Sequence, residues 1–226
     1  LAILTFSLSL IGTFLVRSGI LTSVHAFAVD PGRGVAILLI LAVFIGGSLA
    51  IFAWRAPLLR QGGLFAPVSR EGALVLNNLF LASACGTVFT GTLYPLALEA
   101  VTGEKISVGA PYYALTFVPL ALPLLFLVPF GQRLAWKRGA LAGAAQRLMV
   151  PLGLSILAAL SVAALREGGP VLAPVALGLG LFLVLGAAAE IHARARAPGR
   201  GLATALRRAI GLPRSTWGSA LAHAGV

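Results

Sequence analysis

The chain has 226 residues, of which 59% are hydrophobic and 10% charged, with a mean hydropathy of +0.99. A soluble domain of this size carries about 25% charged residues, so a water-soluble globule is excluded, and repeated apolar runs near the ~20 residues that cross a bilayer point to a multi-pass membrane protein. The formal charge of +11 comes from 17 Lys plus Arg against 6 Asp plus Glu; no basic stretch interleaves the aromatics of a nucleic-acid platform, so nucleic acid is set aside and the charge reads as loop retention at one membrane face.

In chain order, the first apolar segment is residues 1–16 and ends at Arg17. It starts with Leu1 inside the apolar run and lacks a signal-peptide cleavage pattern. The chain stops at Val226 inside another such run, so it reads as a fragment of a longer polytopic protein. The next stretch, "VRSGILTSVHAFAVDPGRG", carries Arg17 and His25 and closes on an Asp-Pro-Gly turn signal. The second span is 35–54, ending at Trp54. The third, 72–93, holds Asn77, Asn78 and Cys85 and ends near Tyr94-Pro95. Spans four to six are 113–131, 148–165 and 171–191, and a seventh begins near Trp217. The fold class is therefore an all-α integral membrane protein, a polytopic helix bundle of about six spans plus the start of a seventh, in one transmembrane region over residues 1–226.

Counting Lys and Arg by alternate loops orients the spans. Thirteen fall on one side, in loops of about 55–71, 132–147 and 192–216; four (Arg17, Arg33, Lys105 and Arg166) fall on the other, in loops of about 17–34, 94–112 and 166–170. The thirteen-charge side reads as cytoplasmic. Trp54, Trp136 and Trp217 then lie at cytoplasmic helix ends, where interfacial indoles are favoured. His25 lies outside the cytoplasmic membrane.

His25 is a candidate iron or metal ligand reached from outside, because neutral imidazole is the commonest such protein ligand. Arg17 is placed to pair with a carboxylate or to snorkel to the interface. His223, six residues into the last apolar run, should sit about 9 Å deep at 1.5 Å per residue. An ionisable group within a span is a site candidate, either as a ligand or as a helix-to-helix hydrogen bond. His192, among arginines, reads as interfacial, and Cys85 as a small buried packing residue. Asn77 and Asn78 should bond to a neighbouring helix. There is no P-loop, no strand-to-helix GxGxxG and no HExxH helix.

"GTFLVRSGILTSVHAFAVDPGRG" followed by "FAWRAP" resembles the cytochrome c maturation haem lyase family CcmF and its paralogue NrfE. "GTLYP" with "GEKISVGAPYY", "ALPLLFLVPFGQRLAWKRG" and "GSALAHAGV" continue the resemblance in the same order. The resemblance implies a haem lyase of the bacterial plasma membrane. That enzyme takes haem from the chaperone CcmE and attaches it to CxxCH cysteines of apocytochrome c at the external face, partnered by CcmH-type proteins. His25 matches the second of two external histidines that hold the delivered haem iron. His223 matches the later of two membrane histidines that hold a haem b, and Arg17 would hold a propionate. The family's external Trp-rich WWD segment, first external histidine and first membrane histidine have no counterpart in this chain. It thus carries one ligand of each pair, and by itself is expected to be inactive. A rival class is a secondary transporter or haem exporter, in which Pro119, Pro123 and Pro129 would break the fourth span.

Overall fold

The computed structural model describes residues 2–18, 31–59, 63–196 and 202–226. Among them the regular structure is helical throughout, in two compact units, Leu1–Gly63 and Leu64–Val226. Five helices are long and apolar enough to cross a membrane, and a shorter apolar one precedes them. Most large aliphatic side chains face outward. That arrangement costs nothing where the surroundings are lipid, because acyl chains are as apolar as leucine.

In the first unit, α1 (Ala2–Arg17) and α2 (Pro31–Arg55) pack antiparallel. Phe6 meets Phe44 edge to face, and Ser18 lies against Gly34. A 3-10 turn, Ala56–Leu58, with a proline in its first turn, ends the unit's helices.

The second unit holds α3 (Arg70–Thr102), α4 (Ala110–Arg133), α5 (Leu141–Leu165), α6 (Ala173–Ala195), α7 (Leu202–Ile210) and α8 (Arg214–Ala224). Its centre is α6. Gly178 lies against Ser155 and Ala159 of α5, and Gly186 lies against Pro129 of α4, where an added Cβ would come within 2.9 and 3.0 Å of its neighbours. Small residues at such crossings let membrane helices approach closely, which is how they gain contact when no hydrophobic force separates lipid from protein. Phe182 packs with Phe126 and Phe130, and Ala187 and Ile191 pack with Ala220 of α8.

Helix ends differ from the sequence expectation. The third span continues through Tyr94-Pro95 to Thr102, because one proline removes a single backbone bond while the stop signal, Gly103 in the left-handed region at φ 74°, comes later. The expected 94–112 loop shrinks to residues 103–109. Likewise α5 starts at Leu141, leaving residues 134–140 between it and α4, and the expected 192–216 loop contains α7 and the start of α8. Pro119, Pro123 and Pro129 do not break α4. Cys85 is exposed, not packed; it follows the buried Ala84, and one helical residue, about 100°, turns it outward.

Candidate functional site

A cavity of about 500 Å³ opens in the second unit between the first three turns of α3, the last turns of α4 and the end of α8. It runs along α3 from Arg70 to Leu81, about 16 Å at the helical rise. Leucines, Phe80 and Phe130 form most of the wall, and Arg70, Asn77, Gln132 and His223 are its polar members. A volume in this range, apolar with a few polar groups, suits an organic ligand.

One end of the cavity is built by a clasp between residues 66–72 and 134–139. The Ala66 N–H donates to the Lys137 carbonyl at 2.8 Å, the Gly139 N–H to Val68 at 2.7 Å, and the Arg70 N–H to Ala135 at 2.9 Å. Ser69 caps α3 by accepting from the Gly72 N–H at 3.0 Å, satisfying one of the donors a helix start leaves open. Gly72 is required there, since a Cβ would fall 2.0 Å from the Pro67 carbonyl oxygen. The Lys137 N–H donates to Glu71 Oε2 at 2.8 Å, and the Arg70 guanidinium lies over Trp136, 5.3 Å from the ring centroid. Lys137 takes the left-handed conformation, φ 65°, to turn the chain. Pro67, Val68 and Leu134 of the clasp line the cavity.

His223 lies in the third turn of α8, and its Nδ1–H donates to the Ser219 carbonyl at 2.6 Å. A carbonyl oxygen only accepts, so a neutral imidazole held this way carries its proton on Nδ1 and its lone pair on Nε2. This is the arrangement in which a backbone acceptor sets the tautomer of a ligating imidazole. Asn77 lines the same cavity, and its amide makes no hydrogen bond among the described residues, contrary to the expected bond to a neighbouring helix. Most of the residues that line this cavity with it are apolar. Asn78 is exposed.

Among the described residues no group of three or more His, Cys, Asp or Glu converges on a point. A single imidazole in an apolar cavity fits an iron whose other donors belong to an organic cofactor rather than a bare ion in a protein cage. On that test the residues present suit a haem. Arg17 is exposed in the last turn of α1, and His25 lies outside the described residues. His192 is exposed at the end of α6.

Sequence reading did not find the clasp, nor an ion pair between α4 and α6 whose arginine is buried. The Arg133 side chain, 3% exposed, donates from Nη2 to the Gly186 carbonyl at 3.0 Å and has Nη1 3.8 Å from Glu190 Oε2. Glu190 also accepts from Arg194 at 2.7 Å. Glu190 is the lone acidic residue within the sixth apolar run, which is the signal that would have drawn notice.

The chain is similar along its whole length to proteins of known role. It is 62% identical over 226 residues to the cytochrome c-type biogenesis protein CycK of Rhizobium meliloti, covering all of this chain and 33% of that protein. CycK of Bradyrhizobium diazoefficiens is also 62% identical over 226 residues, all of this chain and 34% of the relative. The cytochrome c-type biogenesis protein Ccl1 of Rhodobacter capsulatus is 48% identical over 227 residues, again all of this chain and 34% of the relative. Cytochrome c-type biogenesis proteins named CcmF match the full chain at lower identity, and one named NrfE matches part of it. The chain thus spans about a third of the length of the curated relatives it matches. No protein-family model and no solved structure matches it.

Proposed function

We propose that this chain, homologous from end to end to a segment of the CcmF/CycK cytochrome c-type biogenesis proteins, is part of a cytochrome c haem lyase of the bacterial plasma membrane. The relatives' shared role favours this over a transporter or haem exporter. In this reading the whole protein receives haem from CcmE. It joins the haem, with a CcmH-type partner, to the CxxCH cysteines of apocytochrome c on the external side. The reaction adds each cysteine thiol across a haem vinyl C=C: sulfur bonds to one carbon, hydrogen to the other, and no net electron is lost. Such an addition asks the protein for orientation more than for acid or base groups.

The observation that carries the reading is the state of His223. Its Nδ1–H is committed to the Ser219 carbonyl and the residue lines an apolar cavity, so its Nε2 lone pair is preorganised for an iron. A haem b held there would supply electron transfer to keep the delivered haem reduced. Ser219 fixes the ring, leucines and phenylalanines make an apolar wall, and Arg70, Asn77 and Gln132 offer polar contacts. His25 and Arg17 are assigned to the external haem, His25 to its iron and Arg17 to a propionate.

The test is an absorption spectrum of the full-length protein in mild detergent, before and after dithionite, beside His223→Ala. The reading expects a b-type α-band that is lost in the variant. Absence of haem from both preparations, with cytochrome c maturation unaffected by His25→Ala, would return the transporter to first place.

A further inference from the structure

We propose that α7 and the start of α8 form a docking surface for the headgroups of anionic phospholipids, with α7 lying in the membrane interface.

From residue 191 to the end the chain carries six arginines (Arg194, Arg196, Arg200, Arg207, Arg208 and Arg214) and no Asp or Glu. The nearest carboxylate, Glu190, is already bonded to Arg194 and beside Arg133. Arg207, Arg208 and Arg214 make no ion pair among the described residues, which leaves their guanidinium groups open to an anionic partner.

The second observation is independent of charge. The α7 sequence LATALRRAI is apolar on one arc and basic on the other. Ala209 packs on the α6–α8 core, and Trp217 of α8 donates its indole N–H to the Ala209 carbonyl at 3.0 Å, which seats the helix. Leu206 and Ile210, one turn apart, are nevertheless 67% and 76% exposed. At about 100° per residue they share a side, while Arg207 and Arg208 emerge about 100° and 200° from Leu206. Among the described residues nothing covers Leu206 and Ile210, whereas a leaflet boundary satisfies both halves at once: acyl chain against Leu206 and Ile210, phosphodiester against the guanidinium forks. An acidic protein partner would account for the arginines but not for two exposed aliphatic side chains beside them.

The experiment places the full-length protein in nanodiscs of phosphatidylcholine alone or mixed with phosphatidylglycerol, and follows hydrogen exchange over residues 202–214. Exchange is expected to slow in the anionic discs, and the slowing to fall with added salt. Arg207→Gln with Arg208→Gln should remove about 30-fold of the lipid preference, equivalent to about 1 kcal/mol per arginine near an anionic surface. The Lys pair, Arg207→Lys with Arg208→Lys, should keep most of it. Equal exchange in both discs would leave the arginines to a protein carboxylate and overturn the assignment. So would a preference that persists in the Gln pair. If the Gln pair does not fold, the salt titration of the unaltered protein decides: a salt-insensitive difference overturns the proposal.

Discussion

Arg133→Ala should destabilise the protein far more than Arg194→Ala, although the bond of Arg194 to Glu190 is the shorter of the two. The distances alone, 2.7 Å for Arg194 and 3.8 Å for Arg133, would rank them the other way. Exposure reverses the order. Arg194 is 50% exposed, and a solvated pair one turn apart on a helix contributes about 0.3–0.5 kcal/mol. Arg133 is 3% exposed against a Glu190 that is 19% exposed. At 3.8 Å and an effective dielectric near 20, the attraction is about 4 kcal/mol before desolvation is subtracted. Removing one member of such a pair leaves the other charge poorly compensated, which costs about 3–5 kcal/mol. Arg133 also gives a charge-assisted hydrogen bond to the Gly186 carbonyl, at the point where α4 and α6 cross. We therefore expect about 3 kcal/mol for Arg133→Ala, toward the low end because Arg194 still faces Glu190. The assay is reversible unfolding of the full-length protein in mixed micelles, run as a double-mutant cycle with Glu190→Gln. A coupling energy of about 2 kcal/mol between Arg133 and Glu190 is expected. Additive single variants, or an Arg133→Ala no worse than Arg194→Ala, would refute the argument that burial decides.

The clasp gives two further predictions. Gly72→Ala should cost at least about 2 kcal/mol, because its Cβ would stand 2.0 Å from a backbone oxygen that cannot rotate away; thermal unfolding of the detergent-solubilised protein measures it. Lys137→Gly should change stability by less than about 1 kcal/mol, since glycine relieves the left-handed strain and keeps the N–H bond to Glu71 while giving up the half-exposed ion pair of the lysine with Glu71 at 4.0 Å; the same unfolding assay reads it, and a clear loss would show that the lysine side chain matters more than its backbone.

The spans were legible from the sequence because membrane crossing is a local property. A run of apolar residues long enough for the bilayer, with its backbone bonds closed within itself, needs no partner to declare it. His223 stands out in the sequence for a related reason, as an ionisable side chain in an apolar run, and the structure puts it on the wall of the cavity. Helix ends were less so. Tyr94-Pro95 looks like a stop, yet α3 continues to Thr102, because one proline removes a single backbone bond and the left-handed stop at Gly103 comes later.

What the tertiary structure decided is everything that joins distant residues. Arg133 meets Glu190 across 57 positions, and residues 66–72 meet 134–139 in a clasp that neither segment announces alone. Asn77, Gln132 and His223 share one cavity though they come from three helices. A sequence shows which side chains are expensive to place in a membrane. Where they find partners depends on the crossing of α4, α6 and α8, set by small residues such as Gly186 and Gly178 whose role appears only once their neighbours are within reach.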